Sequence, residues 1–173
     1  MVNSKNVTIY FSHGKESGPN GSKIQRLSKI AEAFGLEVKS IDYTDTMDPE
    51  VRADRLIKIL SDRKVDSEFI LVGSSMGAYV SLVASNQFKP LGVFLLAPAV
   101  YIYGFKEQKY PIIENLEIVH GWEDEVIPYE LSIRYARESK SVLHLIQGDH
   151  RLNSSIETVE GLFRNFLTRT LNR

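Results

Sequence analysis

The sequence predicts an α/β fold in three layers, a parallel sheet of six strands with helices packed on both faces. Short apolar runs bounded by turn residues alternate with amphipathic stretches along the chain, which is the pattern of buried parallel strands separated by surface helices. Between two of these segments lies Gly73-Ser74-Ser75-Met76-Gly77, a G-x-S-x-G pentapeptide placed where a strand ends and a helix begins. At 173 residues, with 43% apolar and 25% charged side chains, the chain fits one domain over residues 1–173 with a sizeable core.

The first strand is expected at Val7–Ser12, an apolar run after a polar start. A helix follows near Ser22–Phe34, where Ile24, Leu27, Ile30 and Ala31 share one face of a 3.6-residue repeat. The second strand, Glu37–Asp42, leads to a helix over Pro49–Arg63 with Leu56, Ile57 and Leu60 on its apolar face. Asp48 has the chemistry of an N-cap, and Pro49 suits the first helical position because the N–H it lacks would be unpaired there. The third strand, Phe69–Ser74, runs into a helix over Met76–Gln87 whose small residues Gly77, Ala78, Ser81 and Ala84 allow close packing under a strand. After a fourth strand at Gly92–Ala97, the segment Tyr101–Asn115 has no clear period and reads as an excursion between strands. Strands at Glu117–His120 and Val142–Gln147 flank a helix over Tyr129–Ser139, and a last helix covers Ile156–Thr170.

The pentapeptide carries the chemistry. A serine on a sharp strand-to-helix turn is held in strained geometry with its hydroxyl clear of the sheet, and the positions two residues either side have no room for a Cβ. Gly73 and Gly77 meet that demand for Ser75, whereas no glycine stands two residues before Ser74. Ser75 is therefore the candidate nucleophile. A serine hydroxyl is weak at neutral pH and needs a general base, itself oriented by an acid. With this kind of turn the chain order is serine, acid, histidine. His150 follows Gly148-Asp149 just past the sixth strand, where sites open at the carboxyl ends of parallel strands, while His144 lies inside the strand. His150 is the candidate base. The acid is expected in the loop after the fifth strand, within His120-Gly121-Trp122-Glu123-Asp124-Glu125-Val126-Ile127-Pro128, and Asp124 is the candidate, with Glu123 and Glu125 facing elsewhere. The loop after the fourth strand, Ala97-Pro98-Ala99-Val100, offers no acid. Two backbone N–H groups must hold a developing oxyanion, each worth ~10²- to 10³-fold in rate. Met76 N–H supplies one by position, and Lys15 N–H, after the first strand and the His13-Gly14 pair, supplies the other. His13 and His120 read as structural histidines.

Composition excludes several functions. Lys plus Arg number 21 against 22 Asp plus Glu, with the signs interspersed, so no nucleic-acid or membrane footprint is visible and a small-molecule partner is expected. The absence of cysteine removes disulfides, thiolate metal sites and cysteine catalysis, and fits the cytoplasm as the default location. No secretion signal or membrane-spanning run is expected. Residues 14–23 join a strand to a helix and are rich in Gly and Ser, but they miss the P-loop register, and neither G-x-G-x-x-G nor H-E-x-x-H occurs. No cofactor or metal is expected.

His13-Gly14, the elbow around Ser75, the His120–Pro128 string and Gly148-Asp149-His150 together resemble the α/β-hydrolase superfamily over nearly the whole chain. The short length and the Gly-Ser-Ser-Met-Gly elbow are similar to small bacterial serine esterases of the YqiA-like type. The resemblance implies a minimal α/β-hydrolase fold with strand order 2-1-3-4-5-6, no large lid, and hydrolysis of small or short-chain acyl esters by Ser75, His150 and Asp124. Lys15 departs from the apolar residue many relatives carry there, which bears on pocket polarity rather than on the backbone donor. A thioesterase, peptidase or acyltransferase would use the same three residues, and a ligand-binding protein with a misaligned triad is the reading from another class. Tyr101, Tyr103 and Phe105 have two readings, as lining of a substrate pocket or as cover for the sheet end.

Overall fold

The computed structural model describes residues 6–64 and 67–172. Its strands are β1 (Val7–Ser12), β2 (Glu37–Ile41), β3 (Glu68–Ser74), β4 (Gly92–Leu96), β5 (Leu116–Gly121) and β6 (Val142–Ile146). The helices are α1 (Ser22–Ala33), α2 (Pro49–Ser61), α3 (Met76–Ser85), α4 (Tyr129–Ser139) and α5 (Ile156–Leu171). All strand pairs are parallel, as the sequence predicts, and the sheet order is β2-β1-β3-β4-β5-β6, as the family resemblance implies.

Alternation along the strands splits the core in two. From β1, Val7, Ile9 and Phe11 face α1 and α5, where Leu27, Ile30, Phe163 and Phe166 are buried. From β3 and β4, Leu71, Val93 and Leu95 face the opposite way, toward Leu56 and Leu60 of α2, Tyr79 of α3 and Tyr135 of α4. A period of two in a strand buried on both sides produces this division without polar positions. The middle of β3, Phe69–Val72, and all of β4 are consequently apolar and buried, and β6, at the sheet edge, is only partly covered.

Helix ends follow local chemistry. The Asp48 carboxylate accepts from the N–H groups of Glu50 (2.8 Å) and Val51 (3.4 Å), with Pro49 opening α2, as expected of an N-cap. Phe34, read as helical, is instead the C-cap of α1, and Gly35 takes φ 80° just beyond it. Glu117 is a buried acid in β5, paired with Arg169 of α5 and bonded to His144 Nε2 at 3.1 Å. His144 is thereby committed to the sheet. Among the described residues, no helix is long and apolar enough to cross a membrane.

Candidate active site

Ser75 joins β3 to α3 with φ 54° and ψ −118°, a conformation that costs energy for any residue with a side chain. The two glycines are sterically required. A Cβ on Gly77 would lie 1.9 Å from the Ser12 carbonyl oxygen, and one on Gly73 2.5 Å from the Gly77 carbonyl oxygen. Hydrogen bonds hold the turn in place: Ser75 N–H donates to Leu96 O (2.9 Å), and Ser75 O accepts from Ala78 N–H (3.0 Å) and Ala99 N–H (3.1 Å). The chain order strand, elbow, helix thus leaves the Ser75 hydroxyl at the carboxyl end of the central strand and partly exposed.

The loops after β5 and β6 are brought together by another close approach. A Cβ on Gly121 would sit 2.1 Å from the Gly148 carbonyl oxygen, so only glycine lets these strand ends pack as they do. Trp122 N–H donates to Ile146 O (2.9 Å) and Glu123 N–H to Gly148 O (3.0 Å). The Glu123 carboxylate accepts from Gln147 Nε2 (2.6 Å) and Gly148 N–H (2.5 Å), so this acid fixes the histidine loop instead of facing its ring. Asp149 is also occupied locally, accepting from the N–H groups of Arg151 (3.0 Å) and Leu152 (2.9 Å).

His150 Nδ1 lies 2.7 Å from Asp124 Oδ2, and its Nε2 lies 3.0 Å from Ser75 Oγ. A carboxylate only accepts, so Nδ1 carries the proton and Nε2 presents a lone pair to the serine hydroxyl. The Asp124 side chain is fully buried, and Oδ1 accepts from Val126 N–H and Ile127 N–H, both at 2.8 Å. Burial alone would push the Asp124 carboxyl up, but the bonds from Ile127, His150 and Val126 outweigh it and hold the carboxyl below its ordinary value. Glu125 and Glu123 are exposed on either side, as the divergence of successive side chains requires.

Two residues the sequence did not single out for the site enter it. His120, read as structural, is buried and donates from Nε2 to Asp124 Oδ2 (2.9 Å) and Ile127 O (3.1 Å), while Nδ1 accepts from Ser132 Oγ–H (2.7 Å). Its position four residues before Asp124 was a readable signal, since a strand-end histidine can reach back to an acid in the following turn. Arg52 is completely buried and reaches the loop after β1, donating to Gly14 O (3.0 Å) and Lys15 O (3.3 Å). No sequence signal marks this contact, because Arg52 lies 38 residues from Gly14.

His13 shapes the same loop. Tyr43 N–H donates to its Nε2 (3.0 Å), leaving Nδ1–H to donate to Gly14 O (2.8 Å). Burial lowers the His13 pKa, the bond to Gly14 opposes that, and nearby Arg52 adds to the lowering. The Lys15 side chain is exposed, and Met76 is the first residue of α3, so its N–H has no acceptor within the helix. Lys23 Nζ donates to Arg151 O (3.0 Å) beside the histidine loop, and burial pushes its ammonium down to about 8 against the pull of Asp149 and Asp124.

The aromatic segment is fixed mainly by its own contacts. Tyr101 O–H donates to Glu138 of α4 (2.5 Å), and the Arg134 guanidinium lies 3.8 Å from its ring centre. Phe105 packs on Tyr79 of α3 at 4.6 Å between ring centres, and Tyr103 is fully exposed. Tyr79 O–H donates to Glu50 (2.6 Å), whose carboxylate also accepts Lys106 N–H (3.0 Å). These contacts anchor Tyr101 and Phe105 to the helix layer behind the sheet end.

Comparison with known proteins supports a hydrolase. The chain superposes with a TM-score of 0.87 on a protein of Xanthomonas campestris pv. campestris assigned to the α/β superfamily of hydrolases, at 28% identity over 95% of this chain and 99% of that one. A lidless α/β serine hydrolase from Xanthomonas campestris matches at 18% identity and TM-score 0.81, over 99% of this chain and 85% of that one. Est1E from Butyrivibrio proteoclasticus shares the fold at 16% identity and TM-score 0.77, over 99% of this chain and 91% of its own. A search of curated proteins gives no significant match. Residues 7–110, more than half of the chain, match the uncharacterised protein family UPF0227. The chain belongs to that family, and its fold is that of the α/β hydrolases.

Proposed function

We propose that the protein is a serine esterase that cleaves small or short-chain acyl esters through an acyl-enzyme on Ser75. The observation that carries this reading is the unbroken relay from Ser75 Oγ–H to His150 Nε2 (3.0 Å) and from His150 Nδ1–H to Asp124 Oδ2 (2.7 Å). His150 takes the hydroxyl proton as Ser75 Oγ attacks the ester carbonyl, and Asp124 stabilises the imidazolium that forms. The N–H groups of Met76 and Lys15 receive the oxyanion. His150 then gives its proton to the departing alkoxide, and a water activated by the same imidazole releases the acid.

Substrate size follows from the loops around the relay. The connection between β4 and β5 is anchored to α2, α3 and α4 through Glu50, Tyr79 and Glu138 and adds no separate lid domain. The lidless serine hydrolase of Xanthomonas campestris has the same fold. An open site favours esters with short or solvent-tolerant acyl groups.

A fluorophosphonate that phosphonylates active serines tests the reading directly. Stoichiometric labelling mapped to Ser75, with turnover of p-nitrophenyl esters that declines as the acyl chain lengthens, is the expected result. A folded protein that neither takes the label nor turns over any ester or thioester would be a ligand-binding member of the fold instead.

A further inference from the structure

We propose that Arg52 is a positioning residue for the oxyanion: its guanidinium fixes the Gly14–Lys15 peptide so that Lys15 N–H faces the negative charge formed at Ser75. This inference rests on the serine-esterase reading above.

Arg52 projects from α2 and is completely buried. Among the described residues, its hydrogen bonds go to main-chain carbonyls and one thioether. Nε and Nη2 donate to Thr46 O (2.9 and 2.7 Å), Nη1 to Gly14 O (3.0 Å), Nη2 to Lys15 O (3.3 Å) and to Met47 Sδ (3.9 Å). The Tyr43 ring lies 5.5 Å from the guanidinium carbon. Asp45 is held by Arg55 through two bonds of 2.7 Å, and the Asp48 carboxylate caps α2 by accepting from Glu50 N–H and Val51 N–H. The Glu50 carboxylate is engaged by Tyr79 and Lys106 N–H. A buried cation without a paired carboxylate is costly to desolvate, and the apolar packing of α2 through Leu56 and Leu60 does not require it.

What Arg52 does instead is hold two loops in register. Gly14 O accepts from His13 Nδ1–H (2.8 Å), Arg52 Nη1–H (3.0 Å) and Ser17 Oγ–H (3.4 Å), which leaves the Gly14–Lys15 peptide plane no freedom to rotate. In a trans peptide the N–H lies on the edge opposite the carbonyl, so Lys15 N–H projects away from Arg52. Gly14 itself lies against the nucleophile, where a Cβ would be 3.4 Å from Ser75 Cβ. A cation on the acceptor side of an amide polarises it and strengthens the donor on the far side. Its charge, held in no direct ion pair among the described residues and in a low-dielectric setting, also favours the anionic intermediate over the neutral ester.

The test compares wild type, Arg52→Lys and Arg52→Gln on an ester and its thionoester, in which sulfur replaces the atom that becomes the oxyanion. The ratio of kcat/KM for the two substrates cancels the fraction of molecules that are folded, so a merely structural role leaves it unchanged. Expected are a kcat lower by about 10²-fold with KM nearly constant, and an ester-to-thionoester ratio reduced by about tenfold or more. An unchanged ratio in either folded variant overturns the proposal. Should neither variant fold, the wild-type Lys15 amide proton is followed by NMR as an aryl trifluoromethyl ketone forms its anionic adduct on Ser75. A downfield shift supports the assignment, and an unmoved resonance overturns it. Wild type that leaves esters intact and Ser75 unlabelled instead overturns the esterase reading, and this inference with it.

Discussion

His120 and His150 meet at a single atom, both donating to Oδ2 of Asp124, at 2.9 and 2.7 Å. With Val126 N–H and Ile127 N–H on Oδ1, the carboxylate is saturated by four donors and has one geometry available. His120 therefore orients the acid from behind while His150 uses it from the front. His120→Phe keeps a ring in the buried space but removes the donor and strands the Ser132 hydroxyl. Stability is expected to fall by about 1–3 kcal/mol, the cost of leaving buried polar groups unpaired. Turnover should fall by about tenfold at most, because three donors still hold Asp124. Urea unfolding and initial ester hydrolysis rates, measured on the same preparation, check both halves. A loss of activity as deep as that of an Asp124 variant would place His120 in the chemistry itself.

Ser75 shows the tension between stability and function. Its φ of 54° is unfavourable for a residue with a Cβ and natural for glycine. Ser75→Gly should therefore raise stability by about 1 kcal/mol while abolishing turnover, and Ser75→Ala should abolish turnover with stability nearly unchanged. On the serine-esterase reading the loss expected in either is on the order of 10⁶-fold, since the nucleophile, base and acid of a serine triad act as a unit. Ser74→Ala should retain most of the activity. Thermal unfolding and ester hydrolysis of the three variants decide the matter, and residual activity within tenfold of wild type in Ser75→Ala would sink the assignment of the nucleophile.

The elbow was legible because its constraint is local: Gly73, Ser75 and Gly77 fall within five residues, and the steric demand on each can be stated from the turn alone. The meeting of Asp124 and His150 was legible for a different reason. Apolar runs locate the strand ends, and parallel strands deliver their following loops to one edge of the sheet. The order of the strands came from the family resemblance, and the observed pairing agrees with it. Arg52 was hidden because its amphipathic helix gives it the look of a solvated charge, and its burial depends on the folding of Gly14 and Thr46 around it. Tyr101 and Phe105 stayed ambiguous for the same cause: their partners Glu138 and Tyr79 lie on helices distant in sequence, and an aromatic residue without a period carries no direction.

Acid should weaken the fold before the carboxylates titrate. Burial is the leading cause lowering the pKa of both His13 and His120, and both side chains are committed in the neutral form to fixed donors and acceptors. Their folded values lie below the unfolded value of about 6.5, so as pH falls through 6.5 the unfolded chain binds protons that the folded chain refuses. Stability then declines toward the lower folded values, by up to about 1.4 kcal/mol per pH unit for each histidine. Asp124, also held low, adds its own loss only below about pH 4. Urea midpoints at pH 7, 6 and 5 should fall steadily, with a shallower slope in His120→Phe. A flat profile from pH 6.5 to 5 would contradict the neutral, buried assignment of both histidines.

The acid gives the sharpest test of the relay. In Asp124→Asn the amide keeps the size of the carboxylate, and its oxygen is needed to accept from Val126 N–H and Ile127 N–H. That choice turns the amide NH₂ toward His150 and His120, where two donors already point. His150 can relieve the clash only by moving its proton to Nε2, the nitrogen that must accept from Ser75, so turnover should drop by about 10⁴-fold while the loop keeps its shape. Asp149→Asn should be mild, because an amide oxygen still accepts from the N–H groups of Arg151 and Leu152. Glu123→Gln keeps an acceptor for Gly148 N–H and should cost far less than the loss at Asp124. Ester hydrolysis rates of the three variants rank the acids. If Asp149→Asn proves the crippling change while Asp124→Asn is tolerated, the acid that serves His150 is its sequence neighbour, and the loop after β5 has no part in the chemistry.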